Sequence, residues 1–385
     1  MANNIKGISF TRTNGGLGRP LPGEDHISGL LFEHADIPIG FGTDRVKQIL
    51  DLDDAESKGI LPDSVFNILH YHVSEFFRVC PGATLFVGVF TQDANYKGII
   101  EMQSYAAGKI RQFSIWTEME LKGSIIAALQ ERSDELELAY RYSEIVVTPN
   151  ISVVTDLTTL PDLRFMDKPD VSVCIAQACD ARGAELFESE MIPIGCAGAI
   201  LGSIALAAVN ECIGWVEKFN IAGTQLDVPA FANGMLVRDK ESVLDTLDAK
   251  GYIYLQKYEG ISGSYWNDSH TCAVITSDYA YIEANRTIKK SMRGVRTFLL
   301  PFLKSPITID PNSGKLDPAD IAVLQNEGGR ALREMQRLRE LSGYTVFIDP
   351  DQNILSTSEL EIQIRNVPMG VIRRMKVKIG FTSKL

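Results

Sequence analysis

Residues able to do chemistry are sparse and poorly grouped in this chain. His70-Tyr71-His72 with Glu75 comes nearest to a metal site. On a helix, residues two apart point about 200° from each other, whereas histidines sharing one metal sit four apart. Only His26, His34 and His270 remain for histidine-based catalysis. Gly260-Ile261-Ser262-Gly263-Ser264 lacks the last glycine of a G-x-S-x-G nucleophile elbow and reads as a turn between strands. Neither phosphate-cradling glycine motif occurs, and Asn14-Gly15-Gly16-Leu17-Gly18 has no strand–helix context around it. The carboxylates around Asp134 and Glu188 fall on exposed helix faces without forming an acid–base pair. The residues point to no enzyme, no cofactor and no metal.

The most suggestive polar feature is a row of arginines, Arg330, Arg333 and Arg337, on one side of a long helical pattern. Such a row can engage carboxylates of a partner or phosphates of a nucleic acid. Glu327, Glu334 and Glu340 lie near enough to pair with it, which favours a plain solvated face or a protein partner over phosphate.

The elements around these residues form two patterns. From about Leu61 to Cys179, helices alternate with apolar runs: a helix opened by Pro62-Asp63-Ser64 through Phe77, strands at 85–90, 113–116, 145–147 and 171–175, and a helix from Lys122 to Leu136. This predicts an α/β body with a flavodoxin-like parallel sheet. From about Gly251 come candidate strands at 252–255 and 271–275, then two long helices. The first aligns Ile288, Met292, Val295, Leu299 and Phe302, leaving Arg286, Lys289, Lys290, Arg293 and Arg296 on its other sides. The second is capped by Asp317 with Pro318 at its first position, and Ile321, Leu324, Gly328, Ala331, Leu332, Met335 and Leu338 form its apolar side. Short alternating strands occupy both ends of the chain: Ile5, Ile8 and Phe10 at the front, then Leu360, Ile362 and Ile364, and finally Met375, Val377, Ile379 and Phe381. The expected organisation is an extended arm at 1–22, an α/β body at 23–240 and a C-terminal α+β domain at 241–385 that ends in a strand arm from 359.

At 385 residues the chain is long enough for two or three domains, and 45% hydrophobic with 23% charged residues is the balance of a folded globular protein. The net charge of −11 conceals an asymmetry: residues 286–385 carry 17 Lys and Arg against 10 Asp and Glu, leaving −18 for residues 1–285. Six cysteines without a C-x-x-C pair, and an amino terminus without a secretion signal, suggest a cytoplasmic product. Ile192–Val209 is an uncharged run of 18 residues, but its glycines, proline and serine suit a buried small-residue helix better than a membrane span.

With no active site, a basic C-terminal piece and strand-like arms at both ends, the sequence suggests self-assembly. It resembles the contractile tail sheath family, in particular the Mu-like sheaths of bacterial prophages. The resemblance lies in Gly15–Pro20 with Glu24–Gly29, Val73–Arg78, Glu211–Asn220, Asn285–Pro301 and the closing Val367–Gly370 to Phe381. It implies a subunit that polymerises helically around a tail tube and contracts to drive that tube through a target envelope. The arms would lend strands to neighbouring subunits, and the helix of Arg330, Arg333 and Arg337 would face the tube. The implied partners are further copies of the chain, a tube protein, and baseplate and tail-terminator proteins, with neither nucleic acid nor membrane insertion. The implied location is the bacterial cytoplasm during assembly, then a virion tail or tail-like particle. Two alternatives are an α/β enzyme with an unrecognised small-molecule cofactor, and a nucleic-acid-associated protein using Arg373, Arg374, Lys376 and Lys378.

Overall fold

The structure, a computed structural model, describes residues 23–382. The expected arm at 1–22, with Ile5, Ile8 and Phe10, lies outside the described residues. The body contains β1 (Ser28–Glu33), β2 (Val46–Ile49), α1 (Leu52–Ser57), α2 (Asn67–Val79), β3 (Leu85–Phe90), α3 (Gly98–Tyr105), β4 (Gln112–Glu120), α4 (Gly123–Leu138), β5 (Glu144–Asn150) and β6 (Val171–Cys174). There follow β7 (Ala176–Ala178), α5 (Ala181–Glu190), α6 (Ala197–Leu206), β8 (Pro229–Phe231), α7 (Glu241–Ala249), β9 (Tyr252–Ile253) and the hairpin of β10 (Leu255–Tyr258) and β11 (Ile261–Trp266).

The central sheet has the order β2-β3-β1-β4-β5-β6-β9. Every neighbouring pair is parallel except β2 with β3. Because β3 lies on one side of β1 while β4, β5 and β6 follow on the other, the sheet is wound in the flavodoxin-like order. Its strands read as unbroken apolar runs because helices cover both faces. Leu31, Phe113, Ile145 and Val147 pack with Ile99 of α3 and Leu129 of α4 on one face. Leu30, Val87 and Trp116 pack with Val73 and Phe76 of α2 and Leu201 of α6 on the other.

The apolar run at 192–209 yields α6, whose residues from Ala197 to Ala205 are all buried. No helix among the described residues is long and apolar enough to cross a membrane. Gly198 and Gly202 let α6 lie against the backbone of α2. A Cβ at 198 would collide with the His72 carbonyl, and one at 202 would come within 2.9 Å of the Phe76 carbonyl oxygen. Of the later expectations, 252–255 is extended, whereas Thr271–Ile275 is irregular, with one bridge from Cys272 to Lys168. The body sheet also continues beyond residue 240, since β9 pairs with β6.

The C-terminal module is built from α8 (Ile282–Leu299), α9 (Pro318–Gly328), α10 (Arg330–Arg337), β12 (Leu341–Phe347), α11 (Ile354–Thr357) and β13 (Gln363–Pro368). Asp317 caps α9 as expected, accepting from the Ala319 and Asp320 amides. The single helix expected across 318–338 is instead two, divided at Gly329, because adjacent glycines at 328 and 329 are weak helix formers. Two small apolar clusters hold the module, one around Leu316, Ile321, Leu324 and Ile348, the other around Leu332, Met335 and Leu341. β12 and β13 pair antiparallel as a two-stranded sheet. After Pro368 the described chain runs to Thr382 with neither helix nor strand.

Candidate assembly interface

Where body and module meet, the sequence expectation for α8 is inverted. Its aligned apolar residues Ile288, Met292, Val295, Leu299 and Phe302 are only half-buried, while Glu283, Arg286 and Lys289 are buried. The cause is a set of carboxylates held at the amino ends of the sheet strands. Lys289 Nζ lies 2.7 Å from Glu144 Oε1 at the start of β5 and 2.6 Å from Asp170 Oδ1 just before β6. It also donates to the Ser143 carbonyl at 2.8 Å, while Gln130 and Ser133 of α4 donate to the other Asp170 oxygen. Arg286 donates to the carbonyls of Ala207 and Ala208 after α6, and to that of Asp25 before β1. Lys290 Nζ bridges Asp25 Oδ2 and Glu340 Oε1, each at 2.6 Å, and Arg293 reaches Asp25 Oδ1 at 3.1 Å.

These pairings set the ionisation of the seam. Burial pushes the Glu144 carboxyl up to about 7, against the opposing pull of the Lys289 ammonium. Asp170 is held below the ordinary carboxylate range: burial raises it, but the charge and hydrogen bond of Lys289, with Gln130 and Ser133, outweigh that effect. Lys289, Lys290 and Arg293 of the basic C-terminal third are thus paired with acids of the body. The acidic residues precede strands, but nothing in a linear pattern joins Asp25 to a helix more than 260 residues away, which is why the seam was not legible.

The arginine row is exposed, and each member has a partner on its own chain. Arg337 pairs with Glu334 at 2.6 Å, Arg333 donates to Asn326 Oδ1 at 2.7 Å, and Arg330 approaches Glu327 at 3.5 Å while stacking over Phe298. Glu340 belongs to Lys290 instead. Leu360 and Ile362 pack partly buried on the Ile321 cluster, and Ile364 lies in β13, on the cluster around Leu332. All three therefore sit within this chain's own module. By contrast Met375, Val377, Ile379 and Phe381 are 77%, 82%, 96% and 109% exposed.

The tail that carries these apolar residues is fastened at its root. Arg373 Nε lies 2.8 Å from Asp268 Oδ2 and 3.1 Å from Oδ1, its Nη2 bonds Glu283 of α8, and its guanidinium stacks 3.4 Å from the centre of the Tyr281 ring. The alternative of a nucleic-acid-associated protein needs Arg373 free beside Arg374, Lys376 and Lys378, whereas its partners are these acids.

Among the described residues, no group of three His, Cys, Asp or Glu side chains is placed to hold a metal ion. His70 and His72 diverge as their spacing requires. His70 Nε2 meets Glu56 at 2.9 Å, while His72 is fully buried, with Nδ1 3.4 Å from the Gly198 amide nitrogen and burial lowering its pKa to about 3. An open apolar groove of about 580 Å³ runs between the end of α8, α9 and the stretch from Ile354 to Ile362, lined by Leu299, Leu303, Val323 and Leu324.

This fold is shared with solved structures of a contractile particle. The chain superposes over its full length on the helical sheath of the anti-feeding prophage in its contracted state, with TM-score 0.66, 12% identity and all of both chains covered. It also matches a chain from the six-fold symmetrised baseplate of the anti-feeding prophage, with TM-score 0.58, 10% identity, and 99% of this chain and all of that one covered. In sequence, residues 5–270 match the family profile described as DUF2586, N-terminal domain, and residues 278–385 match DUF2586, C-terminal domain. The chain belongs to the DUF2586 family. No curated protein matches it.

Proposed function

We propose that the chain is the structural subunit of a contractile tail sheath, polymerising helically around a tail tube and contracting to drive the tube through a target envelope. The observation that carries this reading is the full-length likeness to a contracted helical sheath. A subunit of this kind must make strong contacts with its own copies, and two features fit. The β12–β13 ribbon is too small to be a complete sheet and keeps open edges, while Met375, Val377, Ile379 and Phe381 form a strand-like alternation with exposed apolar side chains. Strand addition supplies main-chain hydrogen bonds, and side-chain alternation fixes register. Residues 1–22 play the corresponding part at the other end. Arg330, Arg333 and Arg337 face the tube, where an acidic surface competes for them against the weak exposed pairs with Glu327 and Glu334. Baseplate and terminator proteins contact the sheath at its ends. The role is mechanical, with the work of contraction coming from improved contacts between copies.

Sedimentation tests this reading. The purified full-length chain at high concentration pellets as polymer, and deletion of residues 1–20 returns it to the supernatant as folded subunit. A polymer that survives this deletion and loss of residues 374–385 contradicts assembly through the arms.

A further inference from the structure

Both chain ends enter the described structure beside α8. At the amino end, Asp25 is held by Lys290 and Arg293 through its carboxylate and by Arg286 through its carbonyl. At the carboxyl end, Arg373 is held by Glu283, in the first turn of the same helix, together with Asp268. The charges are opposite in sense: an acidic root on the basic middle of α8, and a basic root on its acidic start. Glu283 and Lys290 are seven residues apart, about 10 Å along the helix axis. Neither clamp is a casual surface pair. Glu283 and Asp268 are 6% and 8% exposed, Ser269 bonds both, and the Tyr281 ring covers the guanidinium. Asp25 is held below the ordinary carboxylate range: burial raises it, and the charge and hydrogen bond of Lys290, then Arg286 and Arg293, overcome that rise. Meanwhile α8 itself is bolted to the sheet by Lys289.

We propose that α8 is a common anchor for both chain ends, with Asp25 and Arg373 as fixed roots from which the segments before and after them reach second copies of this chain. The idea rests on the sheath reading for its occupants, while the clamps themselves are a property of the single subunit. The reaching carboxyl segment starts at Arg374, and its twelve residues, fully extended, span about 40 Å. Displacement of a neighbour is then passed to α8 and through Lys289 to the amino ends of the strands.

The clamps can be read with proteases that must take up the clamped side chain. Trypsin cuts the isolated subunit after the exposed Arg374 and spares the bond after Arg373, whose side chain is 26% exposed and doubly paired. Asp-N cuts before the exposed Asp36 and spares Asp25. Asp268→Asn with Glu283→Gln speeds cleavage after Arg373 alone, and Lys290→Met with Arg293→Met speeds cleavage before Asp25 alone, each about tenfold or more, as expected on losing charge-assisted hydrogen bonds. Glu283→Gln by itself gives a smaller increase and serves if the double variant unfolds. Wild-type cleavage at Arg373 and Asp25 as fast as at Arg374 and Asp36 overturns the proposal. In sedimentation, each clamp variant lowers the polymer fraction; polymer formed as well as by wild type overturns the mechanical role of the clamps and leaves the sheath reading standing. A wild-type chain that never pellets overturns the sheath reading, while proteolysis still decides the clamps.

Discussion

Lys289 shows how one side chain can set the behaviour of an interface. Its ammonium serves two buried carboxylates, and removing one partner of a buried pair is costly because the other charge is left desolvated. Lys289→Met should therefore lower stability by about 3–5 kcal/mol, read by denaturant unfolding. Glu144 and Asp170 respond to pH in opposite ways. The folded-state pKa of Glu144 is raised to about 7, so its contribution is fully present below the unfolded value of 4.5 and is lost as pH rises through about 7. Asp170 is lowered, so its contribution is present above the unfolded value of 3.8 and is lost as pH falls through its lower folded value. Glu144→Gln should remove this loss, so its melting temperature declines less than that of wild type between about pH 4.5 and 7. Glu33, which burial also pushes to about 7, retains its own share of that decline. Arg330, Arg333 and Arg337 belong to a different class. Changing all three to alanine should leave the melting temperature within a degree or two, since exposed pairs contribute little, yet reduce co-sedimentation with the tube protein.

At the scale of elements, the close approach of α6 and α2 makes a sharp prediction. Gly198→Val places two methyl groups against the His72 carbonyl, and overpacking of this kind costs about 1–3 kcal/mol or more, measured as a lower unfolding midpoint. The contrast between these helices and α8 explains what could be read in advance. Strands β3, β5 and β6 were legible because a strand covered on both faces must be apolar throughout, and α6 because its small residues have few other uses. Asp317 and Pro318 announced α9, whereas the adjacent glycines 328 and 329 that divide α9 from α10 were read as part of one continuous helix. The charged face of α8 looks the same whether water or carboxylates surround it. Periodicity located the helix but gave the wrong ranking of its buried sides. The tail's alternation of apolar residues was legible, although in the single subunit the described tail forms no strand; the hold on Arg373 was not, since the acids holding it lie 90 and 105 residues earlier.

For the molecule as a whole, part of the charge asymmetry is internal: Lys289, Lys290, Arg293 and Arg373 seat the basic module on the acidic body through Asp25, Glu144, Asp170 and Asp268. What remains outside is an open two-stranded sheet, an apolar groove and a carboxyl tail whose apolar residues have little cover in one subunit. In the proposed sheath, other copies of the chain cover these surfaces. Removing residues 374–385 should leave the melting temperature of the dispersed subunit unchanged, because the side chains of 374–382 are exposed, and abolish polymer. Helical reconstruction by electron microscopy of the full-length chain, concentrated without any other component, tests the central claim most directly. The account predicts hollow ribbed tubes in which Met375–Phe381 of each subunit lies as a strand against a second copy. Dispersed globular particles at every concentration, or tubes in which each tail folds back on its own subunit, would contradict it.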